Sequence, residues 1–190
     1  LKEAKTFTTA TDKKHLPHAA LQASFNGKQQ VYLHAKEKRQ ILDGIVFLQK
    51  HGLNNIVLVG GDDAHLILPF LKKNDIPVIV SRPHRLPNTA DEDVKLPFKM
   101  AKLLMDAGLT ITIDVSGRME RMNTRNLPFY AGTFAAYGVD KEKAVQMITL
   151  NAAKILGVED KLGSLTVGKD ATLFIAIGDA LDMRTNQLSH

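Results

Sequence analysis

The feature that most constrains this chain is a regular alternation of short apolar segments with longer segments of helical periodicity. Continuous apolar runs occupy residues 56–59 and 77–80, and the first is bounded by Asn55 and Gly60. Runs of this kind are typical of strands buried on both faces of a parallel sheet. Between them, apolar residues recur every three or four positions, which predicts amphipathic helices. The chain is therefore predicted to be an α/β protein with right-handed crossovers.

The predicted strands and helices alternate up to the last two helices, which follow one another directly. Asp140 is predicted to cap the last helix and Gly157 to end it. A turn-rich stretch at residues 162–175 then leads into a short strand. The predicted strands are residues 29–34, 56–59, 77–80 and 109–113, and the predicted helices are residues 16–25, 36–50, 63–73, 97–106, 127–137 and 141–156.

Two architectures fit this order of elements. The strands begin roughly 20 to 30 residues apart, which is the repeat of an eight-stranded β/α barrel. Four strands would then be half of such a barrel, with two exposed sheet edges. The alternative is an open, doubly wound sheet that is complete with four strands. Periodicity leaves both architectures open.

Composition excludes several classes of function. The 190 residues include no cysteine, which excludes disulfides, thiolate metal sites and a cysteine nucleophile, and favours a reducing, cytoplasmic compartment. No apolar run is long enough for a membrane span. The net charge of +5 is dispersed and is not interleaved with aromatic residues, so no nucleic-acid partner is predicted. Because the chain starts at Leu1, it is expected to be part of a longer protein.

Polar side chains follow each predicted strand, where the carboxyl ends of parallel strands form ligand sites. Neutral histidine is a metal ligand or a general base, but it also ends strands with a structural hydrogen bond. A carboxylate after an apolar strand can act as acid or base, or can cap its loop. These candidates are His34 after the first strand, the Gly60–Asp63 turn after the second, Arg82 and His84 after the third, and Asp114 and Ser116 after the fourth.

Further interpretations concern individual candidates. Asp114 and Ser116 are two residues apart, so they are predicted to face the same side if the strand continues through them. Arg82 and His84 could bind an anion. Asp62 or Asp63 is predicted to cap the following helix, because the glycines before them match no phosphate-loop spacing. Arg118, Arg121 and Arg125 could form a carboxylate clamp or a solvated charged loop.

The last third of the chain carries a longer motif. Residues 148–157 read ITLNAAKILG, and residues 163–173 read GSLTVGKDATL. This pair of segments resembles the end of amidohydrolase-superfamily enzymes, in the imidazolonepropionase-like and dihydroorotase-like branch. The resemblance implies the C-terminal half of a (β/α)8 TIM-type barrel, with strands five to eight, followed by a short β segment of a small β-sandwich. It places a domain boundary between residues 1–157 and residues 158–190.

The same resemblance implies a chemistry. Amidohydrolases cleave C–N bonds of amides and cyclic amides with water activated by a divalent metal, with zinc the first expectation. His34 matches the strand-five ligand, and Asp114 lies near the position of the strand-eight ligand and proton shuttle, which the spacing places nearer Ser116. Residues 59–61 stand where the strand-six histidine would be. Arg82, His84 and Ser116 are then expected to bind a small-molecule substrate.

These implications leave three interpretations of function. In the first, the chain is half of a metal-dependent amidohydrolase, is inactive and weakly metal-binding alone, and has the missing N-terminal half as its partner. In the second, it is a catalytically degenerate barrel that binds without catalysis. In the third, it is a doubly wound domain that binds an anion. A homodimer that covers the open sheet edge is a further prediction.

Overall fold

The computed structural model describes residues 1–6, 15–116, 120–184 and 186–189. Its centre is a sheet of four parallel strands whose order in the sheet is their order along the chain. His34 pairs with Val59, and Ser81 pairs with Asp114. The strands are β1 (Val31–Ala35), β2 (Ile56–Gly60), β3 (Val78–Ser81) and β4 (Ile111–Asp114).

Helices precede, connect and follow these strands. Pro69 and Pro97 lie in the first turns of α4 and α5, where the lack of an N–H group costs little. The helices are α1 (Lys2–Thr6), α2 (Leu16–Phe25), α3 (Lys38–Lys50), α4 (Leu68–Lys73), α5 (Leu96–Asp106), α6 (Leu127–Ala136), α7 (Lys141–Ile148) and α8 (Leu150–Leu156).

The strand order distinguishes between the two predicted architectures. A doubly wound sheet reverses its strand order once and carries helices on both faces. Here the order never reverses, so right-handed crossovers place the connecting helices on one face. The sheet is therefore an arc of a barrel, which confirms the predicted half-barrel and excludes the doubly wound alternative.

The two faces of the sheet differ in burial accordingly. Leu58, Val78 and Ile111 point to the helices and are completely buried in the main hydrophobic core. On the opposite face, Tyr32 is 39% exposed and His34 is exposed as well. The helix-covered face is thus packed as a complete core, while part of the opposite face is open.

Helix α8 covers part of this opposite face. The amide of Asn151 donates a hydrogen bond to the carbonyl oxygen of Ile111 at 3.1 Å, and the Tyr32 hydroxyl donates to that of Ile155 at 3.4 Å. Helix α7 instead buries Ala144 and Met147 in the main core. The two helices therefore serve opposite faces of the sheet.

Two predicted helices are each divided. The segment 63–73 begins as a 3₁₀ turn (Ala64–Ile67) before α4, because Pro69 has no N–H group to donate to the preceding turn. The segment 141–156 breaks at Thr149, where the chain redirects from one face of the sheet to the other. Asp140 does cap α7 by accepting from the Lys143 N–H at 3.1 Å, and Gly157 ends α8 in left-handed backbone, as predicted.

The C-terminal segment is built differently. After α8 the chain forms turns until β5 (Ile175–Ile177), which pairs antiparallel with β6 (Asn186–Ser189). Leu181 anchors the segment against α6 and is only 7% exposed. Gly132 permits this contact, because a Cβ atom there would overlap the carbonyl oxygen of Leu181. Among the described residues, no helix has the length and apolar character that crossing a membrane requires.

Candidate active site at the carboxyl ends of the strands

A cavity of about 490 Å³ opens at the carboxyl ends of the four strands. Each strand contributes to its lining because parallel strands end at the same edge of a sheet. Four of the five predicted site residues line it, namely His34, Arg82, Asp114 and Ser116. Lys36, Gln40, Ser81 and Arg85 line it as well.

Asp114 and Ser116 form one local unit at the end of β4. One carboxylate oxygen of Asp114 accepts from the Ser116 N–H at 2.6 Å, and the other accepts from the Ser116 hydroxyl at 2.9 Å. Because β4 ends at Asp114, these hydrogen bonds, and not strand alternation, bring the two side chains together. Because both carboxylate oxygens are held, the orientation of Asp114 at the cavity wall is defined.

The end of β2 contributes the apolar side chain of Val59 and the backbone of Gly60, and no polar side chain. Gly60 and Gly61 have φ values of 95° and 61°, which L-residues other than glycine rarely adopt. The Gly61 N–H donates to the Ala35 carbonyl oxygen at 2.8 Å and so joins the ends of β1 and β2. A Cβ atom on Gly61 would lie 3.1 Å from the Leu58 side chain. Glycine therefore occupies the position at which the family resemblance implies a histidine.

The two aspartates after this turn do not cap the helix that follows them, so that prediction was wrong. The Asp63 side chain makes no cap hydrogen bond to the 3₁₀ turn. It accepts instead from the Lys38 N–H at 2.8 Å and thereby caps α3, whose own N-cap residue Glu37 provides no side-chain bond. The loop after β2 is thus fixed to the start of the preceding helix.

Asp62 is the most deeply buried charged group at this end of the sheet. Its side chain is 2% exposed, and one carboxylate oxygen lies 2.9 Å from Nη2 of Arg85. The Ser81 hydroxyl donates to the same oxygen at 3.4 Å, and Nζ of Lys36 lies 4.0 Å from the other. The ion pair joins the loops after β2 and β3.

Sequence reasoning missed this ion pair and the role of Arg85. The sequence did contain a signal for this pair. An acidic residue directly follows one buried strand, a basic residue follows the next, and neighbouring parallel strands end close together. What the sequence could not supply was the direction of the loop after β3. Arg85 lies four residues beyond Ser81, where strand geometry no longer fixes side-chain direction.

His84 is not among the residues that line the cavity. Its ring lies 5.8 Å from that of Phe98 and 5.5 Å from that of Tyr130, and Nε2 lies 3.4 Å from the Thr133 hydroxyl. Its predicted contact with substrate stays a prediction. Arg118, part of the predicted arginine clamp, lies outside the described residues.

The cavity offers side chains of the kind that bind a divalent metal, but too few of them. Imidazole nitrogen and carboxylate oxygen are both zinc ligands, and His34 and Asp114 supply one of each. A tetrahedral site takes at least three protein ligands. Within the part of the chain that the structure describes, no group of three histidines and acids is placed to hold a metal ion. Further ligands would have to come from elsewhere.

Comparisons with known proteins agree with this fold. The sequence profile of the amidohydrolase family matches residues 18–186. A stretch of 30 residues, 16% of this chain and 7% of the relative, is 67% identical to imidazolonepropionase of Shewanella oneidensis.

Solved structures resemble almost the whole chain. An amidohydrolase from Thermotoga maritima superposes with a TM-score of 0.78 at 28% identity, over 98% of this chain and 46% of that protein. A zinc-bound adenosine deaminase from Xanthomonas campestris superposes with a TM-score of 0.55 at 19% identity, over 77% of this chain and 36% of that one, and so shows the fold alone. The chain spans less than half the length of either structure.

Proposed function

Because this chain belongs to the amidohydrolase family, we propose that it forms the second half of the barrel of a hydrolase that cleaves the C–N bonds of amides or cyclic amides. The observation that carries the proposal is the meeting of His34 and Asp114 at one cavity. These two residues come from the outermost strands of the sheet, and the curvature of a barrel arc would direct both towards a common centre.

The proposed division of the chain follows from packing. Residues 1–157 would form the half-barrel, and residues 158–190 would form a β segment that completes a small sandwich with strands from the N-terminal half of the protein. In support, Leu165 is 89% exposed and Phe174 is 45% exposed, which leaves apolar surface for such strands to cover. The open face and free edges of the sheet suit the same partner. A homodimer stays a prediction that sedimentation can check.

His34 and Asp114 would hold the metal together with ligands from the other half of the barrel. When bound, a divalent ion such as zinc supplies a Lewis acid that lowers the pKa of water. The carboxylate of Asp114 would accept the proton of the attacking water at one oxygen and deliver it to the leaving nitrogen. Ser116 would keep this carboxylate oriented by the two hydrogen bonds it already donates.

A second candidate function is a barrel that binds a ligand without hydrolysing it. The observation that favours it is the Gly60–Gly61 turn, which leaves the end of β2 without a ligand side chain. Asp62, the next acidic residue, forms an ion pair with Arg85 at 2.9 Å, so its carboxylate already has a partner within the protein. The metal ligands contributed by the N-terminal half of the protein would decide between the two candidates.

The test is hydrolysis by the full-length protein, loaded with zinc, on a panel of N-acyl amino acids and cyclic amides. His34→Ala is expected to lower both zinc content and kcat/KM, the latter by about a hundredfold or more, because it removes one metal ligand. His51→Ala, at the far end of α3, serves as the matched control. Zinc-loaded wild-type protein without hydrolysis, or full activity in His34→Ala, would contradict the proposal.

A further inference from the structure

The turn after β2 is anchored on both sides of Asp62. The Gly61 N–H donates to the Ala35 carbonyl oxygen at 2.8 Å, and the Asp63 N–H donates to that of Lys36 at 2.9 Å. Each of these bonds joins a neighbour of Asp62 to the segment that directly follows β1. The backbone that carries Asp62 is therefore fixed relative to the end of β1.

The side chain of Asp62 extends from this anchored turn to the end of β3. Its carboxylate is 2% exposed, and Oδ1 lies 2.9 Å from Nη2 of Arg85 and 3.4 Å from the Ser81 hydroxyl. The side chain of Arg85 is only 21% exposed, so salt and water screen this pair little. Lys36 adds less, because its Nζ lies 4.0 Å away on a side chain that is 71% exposed. One carboxylate thus joins the turn after β2 to the loop after β3.

Stability alone is a poor explanation for this ion pair. Removing two charges from water is costly, and a well-packed apolar pair of similar volume is often at least as stable. What an apolar pair lacks is direction, whereas a carboxylate accepts a guanidinium N–H group only within a narrow range of geometries. The pair of Asp62 and Arg85 is thus better suited to fixing the loop after β3 than to stabilising the whole chain.

The loop after β3 forms one wall of the cavity. Ser81, Arg82 and Arg85 all line the cavity, and Ser81 pairs with Asp114 across the sheet. This wall therefore stands next to the acid proposed for the reaction. A displacement of the loop would change the cavity beside Asp114 without releasing Asp114 itself, because Ser116 holds both of its oxygens.

We propose that Asp62 is a positioning residue that sets this wall of the cavity by holding Arg85 and, with it, the loop after β3. Asp62 is not among the residues that line the cavity, so it acts through Arg85. Its effect on the reaction rests on the proposed hydrolytic function, whereas its effect on the loop does not. Loss of the carboxylate should loosen the loop and weaken substrate binding, while the chemistry at Asp114 continues.

The first test is hydrogen exchange of the full-length protein with Asp62→Asn, which keeps the size of the side chain and removes its charge. The Arg85 N–H donates to the Pro83 carbonyl oxygen, and the Asn88 N–H donates to the Glu92 carboxylate. Protection of residues 84–92 is expected to fall about tenfold or more, because the loop opens locally once the guanidinium is released. Residues 111–114 of β4 should keep their protection.

The matched control is Asp43→Asn, which removes a carboxylate from an exposed ion pair on α3. It should leave protection of residues 84–92 within about twofold, since exposed pairs contribute little. Unchanged protection of these residues in Asp62→Asn would overturn the proposal.

An apolar pair separates position from stability. Combining Asp62→Leu with Arg85→Met removes both charges, so the midpoint of thermal unfolding should stay within about 3 °C of the wild-type value. Residues 84–92 should nevertheless lose protection, because no directional bond remains. Wild-type protection in this variant would show that packing alone places the loop, and would overturn the proposal. Failure of both this variant and Asp62→Asn to fold would do so as well, because the pair would then stabilise the whole chain.

Kinetics distinguish positioning from a general loss of folded protein. On an N-acyl amino acid or cyclic amide that the wild-type protein hydrolyses, Asp62→Asn should raise KM about fivefold or more and leave kcat within about threefold, because the ground state and the transition state lose the same wall contacts. A lower kcat with unchanged KM, as a smaller folded fraction would give, would overturn the positioning role. Absence of wild-type hydrolysis would refute the proposed function, while exchange at residues 84–92 would still decide whether Asp62 places the loop.

Discussion

The barrel arc and the C-terminal segment of this chain differ in how far their apolar side chains are buried. In the arc, Leu58 and Val78 are fully buried beneath the helices. In the segment from residue 158 to residue 184, Leu165 is 89% exposed and Ile177 is 64% exposed. Exposed apolar residues that cluster mark interaction surfaces. The arc carries its own core, whereas the segment has apolar residues in excess of what this chain covers.

The largest expected effect tests this difference in burial directly. Leu58→Ala should lower the free energy of unfolding by about 2 to 5 kcal/mol, because it leaves a cavity in a packed core. Val167→Ala, at a residue exposed as fully as in an extended chain, should change it by less than about 0.5 kcal/mol. Urea denaturation measures both values. A large cost of Val167→Ala in the 190-residue chain would show that the segment packs against the arc.

Gly132 tests the contact that joins the two regions. Gly132→Ala should displace Leu181 from α6, because the added methyl group would overlap its carbonyl oxygen. The cost is the burial of one leucine, about 1.5 to 3 kcal/mol. Hydrogen exchange should rise at residues 179–184 and stay unchanged in β2 and β3. Gly44→Ala is the control, since its methyl group would meet only the movable end of the Leu33 side chain. Unchanged protection of residues 179–184 would contradict the contact.

The smallest expected effect is a loss of local stability at residues 179–184 at low pH. Arg184 lowers the pKa of Asp182 to about 2 by hydrogen bonding, and Lys141 lowers that of Asp179 in the same way. A carboxylate with a depressed pKa stabilises the fold above its unfolded-state value, near 4, and this contribution is lost as the pH falls through the folded-state value. The protection of residues 179–184 from hydrogen exchange, relative to the intrinsic exchange rate at each pH, should therefore fall between about pH 4 and pH 2.

The acid response has its own control. Asp179→Asn should loosen residues 179–184 at neutral pH and reduce the further change on acidification, because the ion pair with Lys141 is already lost. The effect should also diminish in 1 M salt, since both ion pairs are exposed. Simultaneous opening of β2 and residues 179–184 on acidification would show that the two regions do not respond separately.

Much of the arc could be predicted from the sequence, for a physical reason. Apolar runs and helical spacing are local signals, so each predicted strand lies within two residues of an observed one. The meeting of His34, Arg82, Asp114 and Ser116 follows from the rule that parallel strands end at one edge. These residues stand at or next to strand ends, where backbone geometry still sets their direction.

Features set by tertiary packing escaped prediction. The break at Thr149 depends on α7 and α8 serving opposite faces of the sheet, which no local pattern records. The pairing of Asp62 with Arg85 depends on the course of a long loop, and Asp63 caps a helix that precedes it by a whole strand. In each case the partner lies far away in sequence.

The Gly60–Gly61 turn has a consequence for how this lineage can change. Mutation of either glycine to histidine would place a residue with a Cβ atom in left-handed backbone, and at Gly61 also against Leu58. An imidazole at this strand end would thus first require a different course of the loop that carries Asp62 and Asp63.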